Sequence, residues 1–305
     1  MNMKKVLTIA LLVLATAWMP AGARKIAKHV VFIGIDGLSA ECFKQATDIP
    51  NFKFLMENGS YTLAKRSVMP SASAINWASI FNGMPTELHG YHNWNSRKPD
   101  IPAACVTDHG MPPTIYTLLD AQMPSSVTGA LYNWDGIGYV IDTLAVDHYA
   151  YDPGYHRPET YSLEKYTERA AKFILDKKPT FFTFYIGDQD EAGHEYGWGS
   201  PEYYKCMQDC DKSIGMILQA LKDAGIYDDT IVVVTSDHGG VKRGHGGFTL
   251  RELETPYIVW GRRVKRGFAF PETMMQYDVA ATFAYIFGLK TPQCWVGRPM
   301  RQIFK

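Results

Sequence analysis

Residues 29–37 read HVVFIGIDG, an apolar run that ends at an aspartate, Asp36. Two later apolar runs have the same form: TFFTFYIGDQD at residues 180–190, ending in Asp190, and TIVVVTSDHGG at residues 230–240, containing Asp237 and His238. Short runs rich in β-branched and aromatic residues are typical of buried strands. In a parallel α/β sheet the carboxyl ends of the strands lie along one edge, where ligands bind. The sequence therefore predicts acidic side chains gathered at one edge of a sheet.

Predicted strands and helices alternate along the chain around these three runs. Strands are predicted near residues 30–35, 126–131, 139–142, 180–186, 230–237 and 256–260, and a short segment lies near residues 61–67. Helices are predicted from about residue 39 and over residues 73–82, 163–176, 201–224 and 279–287. Such an alternating order predicts an α/β fold, with a mostly parallel central sheet and helices on both faces.

The N-terminal residues 1–23 are typical of a cleaved export signal. Lys4 and Lys5 precede an apolar stretch over residues 6–18, and a small-residue site, Ala21-Gly22-Ala23, follows it. The stretch is shorter than the roughly 20 residues that span a bilayer. We expect an exported chain, periplasmic or secreted, that is neither lipid-anchored nor stably inserted in a membrane.

Residues 24–305 fall in the size range of a single large α/β domain. Lysine plus arginine equals aspartate plus glutamate at 31 each, so the net charge does not favour a nucleic acid polymer as partner. Between residues 91 and 158 the pattern weakens into proline, glycine and aromatic residues. We interpret this segment as an excursion over the active edge that faces the substrate.

The five cysteines, Cys42, Cys105, Cys206, Cys210 and Cys294, are too few for a scaffold built on disulfides. Cys206 and Cys210 lie one helical turn apart, wider than disulfide geometry prefers. We expect the cysteines to be buried apolar side chains.

Histidines accompany the acidic strand ends. Asp190 and His194 are four residues apart, so one helical turn can aim both side chains at one point. Asp237 and His238 are adjacent, and His245 follows in a glycine-rich turn. Carboxylate oxygen and imidazole nitrogen together suit zinc or a similar first-row divalent ion. An aspartate after a strand is often only a helix cap, but the joint occurrence favours a metal site that could hold two ions.

The stretch PSASAINW at residues 70–77 offers candidates for a nucleophile. A serine at the start of a helix lies where backbone N–H groups and the helix dipole favour negative charge. From the residues alone, Ser71 or Ser73 could be the nucleophile, or could only cap the helix.

These residues together resemble the alkaline phosphatase superfamily, most closely its type I phosphodiesterase/nucleotide pyrophosphatase family. The matching pieces occur in the family's order across nearly the whole chain: Ile35-Asp36-Gly37, the Pro-Ser-x-Ser-x-x-Asn stretch at 70–76, Glu87-Leu88-His89-Gly90, Asp190-x-x-x-His194, Ser236-Asp237-His238-Gly239, Gly244-His245-Gly246 and Gly297-Arg298-Pro299. The resemblance implies an alkaline phosphatase-like three-layer sandwich.

The resemblance also implies two zinc ions and a nucleophile at Ser73. One ion would be held by Asp190, His194 and His245, and the other by Asp36, Asp237, His238 and Ser73. The reaction would pass through a phosphoserine. Asp188 falls outside the motif. An asparagine that contacts a phosphoryl oxygen in the family aligns with Trp94, so Asn93 or Asn95 would have to take its place after a shift of one residue.

The expected substrate is a small phosphate ester, with a nucleotide-type diester or pyrophosphate preferred. Six aromatic residues of the expected pocket could stack a nucleobase or pack beneath the loop: Trp77, Tyr91, Trp94, Tyr132, Trp134 and Tyr139. A phosphomonoesterase, a phosphonate hydrolase and an inactive exported metal-binding protein are alternatives. A sulfatase is disfavoured because the stretch around Ser73 lacks a Cys/Ser-x-Pro-x-Arg motif.

Overall fold

A central sheet of eight strands forms the middle layer of the protein, whose computed structural model describes residues 25–154 and 159–305. Its strands are β1 His29–Ile35, β2 Ser60–Arg66, β3 Thr128–Tyr132, β4 His148–Tyr151, β5 Phe181–Ile186, β6 Thr230–Thr235, β7 Glu254–Gly261 and β8 Phe268–Ala269. They lie in the order β4-β3-β5-β1-β6-β7-β2-β8. β7 runs antiparallel to both of its neighbours, and the remaining pairs are parallel.

Helices cover both faces of this sheet. They are α1 Ala40–Gln45, α2 Pro50–Glu57, α3 Ser73–Asn82, α4 Thr86–His89, α5 Ile115–Gln122, α6 Ile137–Val140, α7 Leu163–Lys177, α8 Asp188–Tyr196, α9 Pro201–Asp223, α10 Leu250–Leu253 and α11 Asp278–Phe287. Helices α3, α5 and α11 pack on one face, and α1, α2, α7 and α9 pack on the other. The predicted mostly parallel three-layer architecture is confirmed.

The central strands are apolar on both faces because each face is covered. Along β1, Val30 and Phe32 pack into one hydrophobic cluster, whereas Val31, Ile33 and Ile35 pack into the other. Strand side chains alternate between the two faces of a sheet, so a strand buried on both sides has a continuous apolar sequence. This burial places the three apolar runs that end in aspartates at the centre of the sheet, where β5, β1 and β6 are neighbours.

The predicted strand at residues 139–142 is wrong. Helix α6 occupies Ile137–Val140, and the sheet strand that follows it is β4 at His148–Tyr151. Ile137, Val140 and Ile141 are buried in one cluster at helical spacing, and the alternation expected of a strand is missing. The helical period therefore decides the local structure.

Two strands of the sheet, β3 and β4, lie within the segment over residues 91–158. Strand β3 pairs with β5, and β4 extends the sheet beyond β3. The connections before and after β3 are the parts that leave the sheet and approach the active edge. The export signal predicted at residues 1–23 lies outside the described residues. Among the helices that the structure describes, none combines the length and the apolar composition needed to cross a bilayer.

A disulfide joins Cys105 to Cys294, so the expectation that all cysteines are apolar fillers is wrong for this pair. Their Cα atoms lie 6.6 Å apart although 189 residues separate them in sequence. Nothing in the sequence around either cysteine specifies its partner, since the pairing depends on the folded chain. Cys42 and Cys210 are buried free thiols, and Cys206 is half-buried.

Candidate functional site

The ends of β1, β5 and β6 bring Asp36, Asp190 and Asp237 together. Asp36 directly follows β1 and Asp237 lies two residues beyond the end of β6, whereas Asp190 lies in the first turn of α8. Gly37 makes the close approach possible: its φ is +65°, and a Cβ there would lie only 2.7 Å from Asp190 Oδ1. Its N–H group donates to Asp237 Oδ1 at 3.2 Å. A glycine is required at this turn because of both the backbone conformation and the available space.

Asp36, Asp237 and His238 form an inner group that is shielded from solvent. Their side chains are 2%, 0% and 0% exposed, respectively. His238 Nε2 lies 3.3 Å from Asp36 Oδ1 and 3.2 Å from Asp237 Oδ2. The same nitrogen lies 3.2 Å from Ser73 Oγ. The hydroxyl of Ser73 thus adjoins the inner group.

Asp190, His194 and His245 form an outer group nearer the mouth of the site. One turn of α8 separates Asp190 from His194, and Asp190 Oδ2 lies 3.3 Å from His194 Nε2. His245 Nε2 lies 3.9 Å from Asp190 Oδ1. The His194 side chain is 41% exposed, so this group is open to solvent.

All three histidines are held in the same tautomer. The Nδ1 atoms of His194, His238 and His245 lie 3.0, 2.8 and 3.0 Å from the carbonyl oxygens of Arg243, Gly239 and Ser71, respectively. A carbonyl oxygen can only accept a hydrogen bond, so each Nδ1 must carry a proton. In the neutral rings Nε2 is therefore a lone-pair donor, and each Nε2 faces carboxylate oxygens. Metal-binding histidines are commonly oriented in this way.

Three buried carboxylate oxygens in the site accept no hydrogen bond: Asp36 Oδ1, Asp190 Oδ1 and Asp237 Oδ2. These oxygens lie beside Nε2 atoms of the histidines, which in the neutral rings are also hydrogen-bond acceptors. A proton or a metal ion between a carboxylate oxygen and an Nε2 atom would bind to both. Ligand atoms of Asp190, His194 and His245 lie within 4.8 Å of one another, and so do those of Asp36, Asp190 and His238. This donor set fits zinc or a similar divalent ion. Asp190 is common to both sets, whereas the sequence assigned it to one.

Burial and repulsion between the carboxylates shape the electrostatics of the inner group. Burial raises the pKa of Asp36, and the neighbouring charge of Asp190 raises it further. Burial, followed by Asp36 and Asp190, raises the pKa of Asp237 well above its usual range. A divalent cation among these carboxylates would remove the cost of burying like charges together.

In the outer group, the attraction between Asp190 and the histidines outweighs the effect of burial on the pKa of Asp190. Burial acts to raise the pKa of Asp190, but the hydrogen bond to His194 and the charges of the three histidines together bring it below its usual value. The hydrogen bond to Asp190 raises the pKa of His194 to about 9. Burial and the adjacent His238 lower the pKa of His245 to about 3. The proton of this group therefore resides on His194, beside the ionised carboxylate of Asp190.

Ser73 is the first residue of α3, and its side chain does not cap the helix. The N-cap residue is Ala72. Ser71 Oγ instead donates to Gly247 O at 2.7 Å, while Ser71 O accepts from His245 Nδ1. Ser71 therefore orients a histidine, and the hydroxyl of Ser73 is left to face the inner group.

Several supporting residues were not identified from the sequence. Trp77 Nε1 and the Tyr185 hydroxyl both donate to Asp36 Oδ2, which directs Asp36 Oδ1 toward His238. The buried Lys65 Nζ donates to Ser236 O at 2.7 Å. A tyrosine hydroxyl in the apolar run FFTFYI and a lysine within a strand were the available signals, because buried polar groups need partners.

A cleft of about 770 Å³ opens at this edge of the sheet. The cleft is lined by Asp36, Ser73, Asp190, His194 and His245, and by residues from the connections around β3: His92, Asn93, Trp94, Asn95, Arg97, Trp134 and Asp135. Trp94 O accepts the Ala74 N–H at 3.1 Å, which fixes this wall to the start of α3. Asn93 and Asn95 both line the cleft, and a contact with substrate stays a prediction for each.

The six aromatic residues considered for the pocket separate into three kinds. Trp77, Tyr91 and Tyr132 are buried in the core. Trp94 and Trp134 line the cleft, and Trp94 is 60% exposed. Tyr139 lies beneath Arg97, whose guanidinium carbon is 5.0 Å from the ring centroid.

Residues 30–255 match the model of the type I phosphodiesterase/nucleotide pyrophosphatase family. The chain belongs to this family. It is 26% identical over 227 residues to ectonucleotide pyrophosphatase/phosphodiesterase family member 1 of Mus musculus, a match that covers 68% of the chain and 24% of that protein. It is 25% identical over 234 residues to the venom phosphodiesterase CdcPDE of Crotalus durissus collilineatus, covering 72% and 27%, respectively. The matched region thus spans about a quarter of the length of these relatives.

Solved structures share the fold of this family member. An inactive variant of murine ectonucleotide pyrophosphatase/phosphodiesterase 5 in complex with AMP superposes with a TM-score of 0.74 at 15% identity, covering 91% of the chain and 100% of that chain. A phosphonate monoester hydrolase of Silicibacter pomeroyi superposes with a TM-score of 0.65 at 17% identity, covering 91% and 76%. The alkaline phosphatase-like architecture expected from the sequence is confirmed.

Proposed function

We propose that the chain is an exported, metal-dependent hydrolase of phosphoric esters that acts on nucleotide-type phosphodiester or pyrophosphate bonds. The observation that carries the proposal is the position of Ser73 Oγ, 3.2 Å from His238 Nε2 at the end of the cleft. Membership of the type I phosphodiesterase/nucleotide pyrophosphatase family supports the same reaction class. The AMP complex of the murine structural neighbour supports a nucleotide-type substrate.

Two divalent ions, with zinc as the expected metal, would be held by the inner and outer groups. Asp190, His194 and His245 would hold one ion, and Asp36, Asp237 and His238 the other, together with Ser73. When bound, such ions supply Lewis acidity that favours ionised serine and water and stabilises a departing oxygen. The unpartnered oxygens of Asp36, Asp190 and Asp237 support this assignment.

Ser73 is the proposed nucleophile. Its Oγ would form a bond to phosphorus while the bond from phosphorus to the leaving oxygen breaks, and the hydroxyl proton would pass to solvent. A water oxygen would then attack the phosphoserine, regenerate the hydroxyl and release the phosphorylated product. The fixed tautomers of the three histidines keep Nε2 directed at the site throughout both steps.

Export is part of the proposal and rests on two features. Residues 1–23 have the order of a cleaved signal peptide. The disulfide between Cys105 and Cys294 fits an oxidising compartment, because such bonds are rare in the reducing cytosol. The proposed substrate is a small molecule, and the balanced net charge offers no support for a nucleic acid polymer.

One comparative assay tests the function. The mature chain would be analysed for bound metal and supplied with p-nitrophenyl esters of thymidine monophosphate, phosphate, phenylphosphonate and sulfate. We expect chelator-sensitive hydrolysis, fastest with the thymidine monophosphate ester, which Ser73→Ala abolishes and the hydroxyl-retaining Ser73→Thr partly preserves.

The other outcomes discriminate the rival functions. Faster hydrolysis of the phosphate monoester or of the phosphonate would replace the diesterase assignment with a phosphomonoesterase or phosphonate hydrolase. Bound zinc without any turnover that depends on Ser73 would identify an inactive metal-binding protein.

A further inference from the structure

Arg97 carries the only permanent positive charge among the described residues that line the cleft. The charged residues around it are acidic: Asp36, Asp135, Asp190 and Glu191. A substrate anion other than the reacting phosphoryl group therefore has a single fixed cation to meet in this cleft. That cation is a guanidinium, whose planar fork of donors matches phosphate geometry.

Arg97 makes two contacts with residues of the connection that follows β3. Its Nη2 donates to Asp135 Oδ2 at 3.2 Å, and its guanidinium carbon lies 5.0 Å from the Tyr139 ring centroid. Tyr139 is itself fixed, because its carbonyl oxygen accepts from the hydroxyl of the buried Tyr91 at 2.8 Å. The guanidinium is thus preorganised, which reduces the entropy that it would lose on binding a ligand.

Most of the donors of Arg97 remain available. A guanidinium has five N–H groups, and Asp135 engages Nη2 alone. The Arg97 side chain is 59% exposed. The turn that precedes it is tied to the nucleophile's helix through the hydrogen bond from Ala74 N to Trp94 O. Arg97 and Ser73 therefore line the same cleft, whose volume of about 770 Å³ is in the range of nucleotide-sized ligands.

We propose that Arg97 binds a second phosphate of the substrate, the one joined by an anhydride bond to the phosphoryl group that Ser73 attacks. The assignment rests on the proposed function and narrows it: Arg97 favours pyrophosphate-containing substrates over simple diesters. Asp135 and Tyr139 would act as positioning residues, since both contact the guanidinium of Arg97.

Two substrates that share one reacting group provide the test. Thymidine triphosphate and the p-nitrophenyl ester of thymidine monophosphate present the same thymidine 5′-phosphoryl group, but only the first has phosphates beyond it. For Arg97→Gln we expect kcat/KM for the triphosphate to fall at least about tenfold more than kcat/KM for the ester, mainly through KM, because a charge-assisted hydrogen bond is lost. Arg97→Lys keeps the positive charge but loses the planar fork of donors, so its kcat/KM for the triphosphate should lie between those of the unaltered protein and Arg97→Gln.

Binding provides a readout that does not depend on turnover. In the Ser73→Ala protein, calorimetry should give tighter binding of thymidine triphosphate than of thymidine monophosphate, and adding Arg97→Gln should remove most of that difference. Arg266→Gln, which removes an exposed arginine from outside the cleft, is the matched control and should leave both substrates unaffected.

The failures are distinguishable. Suppose that the unaltered protein hydrolyses the ester and that Arg97→Gln changes kcat/KM equally for both substrates. Arg97 then only connects two loops and the assignment is overturned, while the proposed function stands. If the unaltered protein hydrolyses neither compound, the proposed function falls and the assignment falls with it.

Discussion

His238 and His245 stack their imidazole rings face to face, with the centroids 3.7 Å apart and the planes inclined by 15°. Each ring donates from Nδ1 to a backbone carbonyl oxygen, so in the neutral rings each Nε2 presents a lone pair that could bind a cation. Two imidazolium ions would repel each other in this arrangement. Burial and the adjacent His238 lower the pKa of His245 to about 3, which favours the neutral ring, the form in which histidine binds metals.

Metal affinity should rise with pH between 7 and 9. The hydrogen bond to Asp190 raises the pKa of His194 to about 9, so at pH 7 its Nε2 holds a proton that a metal ion must displace. Raising the pH through 9 removes this competitor, and we expect zinc affinity to increase by up to about tenfold per pH unit. Calorimetry in buffers of different ionisation enthalpy would measure the released proton. An affinity that stays flat over this range would contradict the protonated His194.

Tyr185→Phe should weaken metal binding without unfolding the chain. Trp77 Nε1 and the Tyr185 hydroxyl both donate to Asp36 Oδ2, and the substitution removes the second of these hydrogen bonds. Partners that orient a metal-binding carboxylate typically contribute about 10–100-fold in affinity. Competition with a chromophoric chelator would measure the change. Tyr116→Phe is the matched control, because it removes a buried hydroxyl that contacts Gly129 O and Thr183 Oγ1 instead.

Asp237→Asn should stabilise the metal-free protein and abolish its stabilisation by zinc. Asp237 Oδ2 is buried without a hydrogen-bond partner, and burial with neighbouring carboxylates raises the pKa of this group. Neutralising it removes a penalty on the order of 1–3 kcal/mol at neutral pH. Thermal unfolding with chelator and with zinc would give both quantities. A metal-free variant less stable than the metal-free parent would refute the expected charge repulsion.

Replacing Cys105 and Cys294 together by serine should lower the stability of the oxidised protein. The bond closes a loop across 189 residues, and loss of such a constraint typically costs about 2–5 kcal/mol. We expect a reductant to lower the Tm of the unaltered protein toward that of the double variant. The reductant should leave the variant itself unchanged, which separates the disulfide from the free thiols of Cys42, Cys206 and Cys210.

Local patterns in the sequence were sufficient for much of the fold. The apolar runs ending at Asp36 and Asp237 became neighbouring central strands, and helix α3 begins and ends at the predicted residues, Ser73 and Asn82. In these segments the apolar period and the terminating glycine are properties of the segment itself. The antiparallel direction of β7 was not predictable, because no local pattern specifies that the connection from β6 returns to the sheet at the same edge.

The candidate site divides in the same way. The spacing of Asp190 and His194 and the adjacency of Asp237 and His238 are visible in the sequence, and the fold brings these side chains together. The part played by Tyr185 was not visible, because its hydroxyl reaches Asp36 across 149 residues. Disulfide pairing and the shared position of Asp190 likewise depend on distances between segments that are remote in sequence.

The unequal burial of the inner and outer groups has a kinetic consequence. His194 is 41% exposed, whereas Asp237 and His238 are 0% exposed. An ion seated at the outer group would meet chelators directly, whereas one at the inner group would be backed by the buried Asp237 and His238 and reached only through the cleft beside Asp36 and Ser73. Chelation of the loaded protein should then be biphasic, with a labile ion lost first and a slowly exchanging ion retained beside Ser73.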